Sequence, residues 1–106
     1  WEGLSVDKDE RFRIAENLGE NKVLIMRNHG LLTVGETAGE SFMNMYYAVR
    51  MCEVAVQAQS SGLELKSASK ELWEKSQKQY DAFFPGVSEW PALLRRCDAI
   101  DPSYKE

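Results

Sequence analysis

A single histidine and only two cysteines stand among the 106 residues, so few side chains are available to hold a transition metal. Cys52 and Cys97 lie too far apart for a zinc knuckle or a redox dithiol. Both are expected to be free thiols buried inside helices rather than a disulfide. No apolar run approaches the roughly eighteen residues that bridge a bilayer, and the stretch Trp1 to Arg13 lacks the basic-then-apolar order of a signal peptide. A membrane partner is therefore not expected, and a cytoplasmic setting is. Basic clusters are missing as well: 13 Lys and Arg against 17 Asp and Glu give a net charge of −4, with no stripe that could neutralise phosphates. Nucleic acid is not an expected partner. No linker, internal repeat or low-complexity tract interrupts the chain, so residues 1–106 are read as part of one domain. With Trp1 in place of an initiator methionine, the chain is expected to begin inside a longer parent or to follow a processing or cloning event.

What is present reads as helices around one short hairpin. From Asp7 to Leu18, Phe12, Ile14, Ala15 and Leu18 recur at helical spacing, with Asp7 as cap and Gly19 and Asn21 as stop. Lys22 to Met26 and Leu31 to Val34 are short apolar runs, read as strands joined through Arg27-Asn28-His29-Gly30. Asn28 and Gly30 tolerate positive φ and suit a sharp reversal that lifts His29 out at the strand ends. Thr37-Ala38-Gly39-Glu40 fits a capping box, and the long helix after it carries Phe42, Met45, Tyr46, Val49, Cys52 and Val56 on one face before fading at Ser60-Ser61-Gly62. Ser67 or Ser69 can cap a further helix reaching Phe84, with Leu72, Trp73, Gln77, Tyr80 and Phe83 near one face, and Pro85-Gly86 breaks it. A last helix is expected over Pro91 to Ile100, ended by Asp101-Pro102.

Among residues able to carry chemistry, His29 stands out by its place in a sheet-end turn, where rigid scaffolds present functional side chains. Glu40 reads as a cap, Glu53 as an exposed or interface carboxylate, and Tyr46 and Tyr47 as packing residues.

The run Val23-Leu24-Ile25-Met26-Arg27-Asn28-His29-Gly30-Leu31-Leu32-Thr33-Val34-Gly35 resembles the Asn-His-Gly segment of the class II aldolase/adducin family. The likeness continues through Glu36-Thr37 to Ala55, including Cys52-Glu53, and Trp90 to Tyr104 is similar to the closing segment of bacterial and fungal members. It covers most of the chain from Asp7 onward and is weak over Ser67 to Gly86. The resemblance implies an α/β fold: the carboxy-terminal portion of a three-layer α/β/α class II aldolase-like domain, helix-rich with a short β-hairpin. It also implies a divalent metal, usually zinc, held by three histidines, of which His29 matches the third. The other two, from a His-x-His pair, and an acid/base glutamate lie upstream in the family's pattern and outside this sequence, as do the phosphate-binding loops. Catalytic residues are therefore not assigned, and Tyr104 receives no role although family enzymes often draw a tyrosine from a tail or neighbouring subunit.

By resemblance the parent is a metal-dependent lyase or epimerase acting on a small sugar phosphate or hydroxy-carbonyl compound. Its expected partners are the missing amino-terminal part of the domain and further copies of itself. One imidazole is at most a third of a catalytic zinc shell, so the chain is expected to be inactive alone. The alternatives are a non-catalytic adducin-like assembly domain, of the kind that joins the actin–spectrin skeleton, and a family member of unassigned activity. Two strands make a marginal sheet with unpaired edges, so the isolated chain is expected to associate, swap or remain partly molten. A sedimentation profile of a lone monomer together with a single cooperative melt would contradict this.

Overall fold

The computed structural model describes residues 8–83 and 85–105. In chain order the elements are α1 (Lys8–Leu18), β1 (Val23–Met26), β2 (Gly30–Thr33), α2 (Ala38–Ser60), α3 (Lys70–Ala82), α4 (Glu89–Ile100) and a closing 3₁₀ turn, Pro102–Lys105. The expected cap Asp7 and the expected helix end Phe84 lie outside the described residues. The expected stop at the end of α1 is present: Gly19 takes φ +54° and the Asn21 side-chain amide donates to the Leu18 carbonyl at 2.9 Å.

β1 and β2 pair antiparallel, with Val23 opposite Thr33, Leu24 opposite Leu32, Ile25 opposite Leu31 and Met26 opposite Gly30. The three residues left between them, Arg27, Asn28 and His29, form the reversal. Alternation along the strands sends successive side chains to opposite faces. Leu24 and Met26 meet α1 beside Ile14, while Val23, Ile25 and Leu31 face Ala48, Met51 and Ala55 of α2 across an open concavity of about 770 Å³. The short sheet therefore has a helix against each face, as an α/β layered domain requires.

α2 begins where its sequence signature puts it. Thr37 is extended at φ −131°, and its hydroxyl accepts from the Glu40 N–H at 3.1 Å. The Glu40 carboxylate reaches back one residue beyond the cap, accepting from the Glu36 N–H at 2.8 Å. Its other oxygen receives Lys22 Nζ at 2.8 Å, and Lys22 also approaches Asp81 of α3 at 3.5 Å. The cap thus joins three elements rather than one.

Burial departs from the expected stripe. Phe42, Tyr46, Val49 and Val56 are exposed on α2, and Tyr47 is exposed beside them. The residues it buries are Gly39, Met43, Asn44 and Ala48, one step around the helix. α2 is apolar on more than one side, and periodicity alone could not say which side meets the hairpin. Cys97 corrects the expectation of buried thiols: it is exposed and Cys52 is half-buried, both remaining free, because α4 packs only its Trp90, Leu93 and Leu94 side inward. On α3, Leu72 and Trp73 are likewise exposed, as is Phe83 just beyond its end. The Ser69 cap is present, its hydroxyl accepting from the Leu72 N–H at 3.3 Å.

The accessible surface is 9144 Å², against about 6000 Å² for a compact monomer of this mass. The radius of gyration is 17.1 Å, where about 13 Å is usual for this length. Met43 and Ala48 are the buried hydrophobic residues among those described.

A close junction joins the start of α2 to the turn before α4. Gly86 sits at φ +92°, and a Cβ there would lie 2.3 Å from the Gly39 carbonyl carbon. A Cβ on Gly39 would in turn lie 2.9 Å from Trp90 Cβ. The Gly86 N–H donates to the Glu89 carboxylate at 3.0 Å, and Phe42 packs on Trp90 with ring centroids 5.8 Å apart. Gly86→Ala meets both a clash and an unfavourable φ, and is expected to cost at least about 2 kcal/mol. Gly62→Ala, at φ +69° with nothing within 4 Å, is expected to cost only about 1 kcal/mol. Urea midpoints of the two variants compare them directly; equal losses would show that the Gly39–Gly86 contact is not tight.

The Glu40–Lys22 pair makes stability depend on pH. The Lys22 hydrogen bond, then the Glu36 N–H, hold the Glu40 carboxyl below its ordinary value, and the same contact raises Lys22. A lowered carboxyl stabilises the fold above the ordinary carboxylate range and loses that contribution as pH falls through the lowered value; a raised lysine loses its contribution only as pH climbs through the raised value. Glu40→Gln is therefore expected to be less stable than wild type at neutral pH. The gap should narrow below about pH 4 and partly in 1 M salt, because Lys22 is 44% exposed and screened. Urea unfolding of both proteins across a pH series measures it.

Candidate functional site

The reversal between the strands presents His29 as expected. Its backbone N–H donates to the Met26 carbonyl at 3.1 Å, closing the turn, and its side chain is exposed. Asn28 takes φ +55° and Gly30 φ +156°, the two positions where the sequence places residues tolerant of positive φ. The imidazole is thus carried at the tip of the hairpin, outside the apolar packing.

The other end of the hairpin is fastened to α2. The Thr33 hydroxyl donates to the Ser41 carbonyl at 3.0 Å, and the Ser41 hydroxyl donates to the Thr33 carbonyl at 3.2 Å. One turn further along α2, the Asn44 amide donates to the Val34 carbonyl at 2.9 Å, and its oxygen accepts from the Tyr80 hydroxyl of α3 at 3.3 Å. Asn44 is 4% exposed, and its interior amide has partners on both ends. Burial, and then the neighbouring Tyr47, push the Tyr80 phenol above its ordinary value, so it serves as a neutral donor. The Tyr47 ring stands edge-on to Tyr80 with centroids 5.8 Å apart. An Asn in a helical run of apolar residues is the sequence signal that could have singled Asn44 out.

Beside the turn, Glu10, Arg13 and Asn17 of α1 line a polar cleft of about 270 Å³ with Leu24 to Arg27. Glu10 is 6% exposed and accepts from Arg13 Nη2 at 2.7 Å. This buried carboxylate lies on a helix whose sequence gave no sign of it, since the residues around it are charged.

The remaining candidates stand apart from the turn. Glu53 is exposed and pairs with Arg50 at 2.6 Å, as a helix-face carboxylate does. The Tyr104 hydroxyl donates to Asp98 at 2.7 Å, and Lys105 reaches the same carboxylate at 2.6 Å. Lys105, then Tyr104, lower Asp98, and the carboxylate raises the Tyr104 phenol. Tyr104 is therefore occupied within its own chain end.

Among the described residues no three His, Cys, Asp or Glu side chains come together as metal ligands. His29 offers one nitrogen donor in an accessible place, which fits one corner of a tetrahedral zinc site. The chain's described residues do not supply the other ligands.

The family model described as Class II Aldolase and Adducin N-terminal domain matches residues 5–56, a stretch that includes the hairpin and most of α2. A protein of Pseudomonas aeruginosa that carries a class 2 aldolase name is 34% identical over 112 residues, covering 100% of this chain and 43% of that protein. An adducin-related protein of Schizosaccharomyces pombe is 30% identical over 114 residues, covering 99% of this chain and 35% of its own length. Alpha-adducin of Rattus norvegicus is 44% identical over 62 residues, which is 58% of this chain and 8% of that protein. The chain spans less than half the length of these curated relatives. No solved structure matches it. With the family model running through the Asn28-His29-Gly30 turn and its fastening helix, and relatives aligned over the whole chain, the protein belongs to the class II aldolase/adducin family.

Proposed function

We propose that this chain is the carboxy-terminal portion of a class II aldolase-type domain in which His29 is one of three histidine ligands to a divalent cation, zinc by the family's pattern. The complete protein is then a lyase or epimerase acting on a small sugar phosphate or hydroxy-carbonyl compound, and the 106-residue chain alone is inactive. The observation carrying this reading is the placement of the sole histidine, exposed at the tip of a hairpin whose turn needs two residues of positive φ. A packing histidine would have no need of that position. When bound, such a cation supplies Lewis acidity for the charge that develops as a carbon–carbon bond breaks. The chain's own share is to carry one imidazole and hold it still. The other ligands belong to the amino-terminal part of the domain, and the working form is a cytoplasmic homo-oligomer.

A second reading is a non-catalytic assembly domain of the adducin type, favoured by the 44% identity to alpha-adducin over 62 residues. Metal separates the two. Full-length protein purified without chelator is expected to hold about one zinc per subunit, and His29→Ala is expected to lose it with retention of fold by circular dichroism. Wild-type protein without stoichiometric metal, or a His29→Ala variant that keeps it, would favour the assembly reading.

A further inference from the structure

The hairpin is held at the end opposite to His29. Thr33 and Ser41 exchange hydrogen bonds there, and the Asn44 amide donates to the Val34 carbonyl at 2.9 Å just beyond the last strand residue. Between this anchor and the turn run four residues of each strand, about 13 Å at 3.3 Å per residue. A rigid arm of that length turns a tilt of about 5° at its base into a shift of about 1 Å at its tip. Metal ligands tolerate about 0.2 Å, and a misplacement of about 1 Å near a reacting centre can cost about a hundredfold.

Two of the anchors differ in kind. The Thr33–Ser41 exchange is local to two elements, whereas Asn44 is buried and is gripped from α3 by the Tyr80 hydroxyl at 3.3 Å. A planar amide bonded at both its donor and its acceptor end has one orientation left, so the Val34 carbonyl is held in one place relative to α2 and α3 together. An apolar side chain of similar size would fill the same space without setting that direction.

We infer that Asn44, oriented by Tyr80, is a positioning residue for the His29 turn, a role that rests on the reading of His29 as a metal ligand. It touches no metal or substrate and acts through β2. Such outer partners commonly change metal affinity by about 10- to 100-fold when removed.

The test uses the full-length protein, with Zn²⁺ alone as probe in competition with a chromogenic chelator. Asn44→Ala is expected to weaken zinc about tenfold or more. Tyr80→Phe, which removes a single hydroxyl and keeps the ring packing, should weaken it by a smaller factor, and it serves if Asn44→Ala fails to fold. Leu93→Ala in α4, a destabilising control away from the hairpin, should leave affinity within about twofold. A second readout needs no metal: in the metal-free protein, amide hydrogen exchange at His29 should quicken in Asn44→Ala and Tyr80→Phe while α4 amides keep their wild-type rates. Unchanged exchange at the turn, or equal acceleration throughout α4, overturns the positioning role. So does a zinc loss that Leu93→Ala matches. If His29→Ala and Asn44→Ala both leave zinc binding as it was while turn exchange quickens, the ligand reading fails and the positioning of the turn stands.

Discussion

The structure depends on the junction between the open end of the hairpin and the first turns of α2. An isolated two-stranded ribbon is marginal, because it orders eight residues for one ladder and leaves its outer edges to solvent. Here the ribbon is stiffened by bonds that its strands cannot make with each other. Ser41 and Thr33 satisfy one another's carbonyls, Asn44 holds Val34, and Glu40 draws Lys22 from the residue before β1. All four α2 contacts come from residues 37–44, so the cap that starts the helix also sets the hairpin against it. His29 lies at the end of the ribbon opposite to these ties.

Around that junction the chain is thinly packed. α2 shows apolar side chains on faces that nothing described here covers, Ile25 of β1 is 69% exposed, and the concavity between them is bounded almost wholly by carbon. A helix that is hydrophobic on most sides is normally an interior element. The large accessible surface and radius of gyration agree with a chain spanning less than half the length of its relatives. Polar fastening and apolar burial are divided in this chain: the described residues complete the first and leave much of the second open.

Local chemistry was legible in the sequence. The strands on either side of Arg27-Asn28-His29, the positive φ of Asn28, the Thr37 cap, the stop at Gly19 and the break before α4 all follow from residues acting on their immediate neighbours. α4 begins at Glu89 rather than Pro91, a small shift that places Pro91 within the first turn, where its missing N–H costs nothing. Which side of α2 is interior was not legible. Phe42, Tyr46, Val49 and Val56 form as good a helical stripe as Ala48, Met51 and Ala55, and only the position of the hairpin decides between them.

The amino-acid order alone settled the helix-rich layout and the hairpin that carries the sole histidine at its tip, because each depends on φ preferences, caps and composition within a few residues. Tertiary structure alone decided that Asn44 bridges β2 and α3, that Gly39 and Gly86 must both lack a side chain, that Glu10 is buried beside the turn, and that Cys97 faces solvent. Each of these depends on two segments distant in sequence meeting at a particular distance, and no pattern within a single segment encodes that distance.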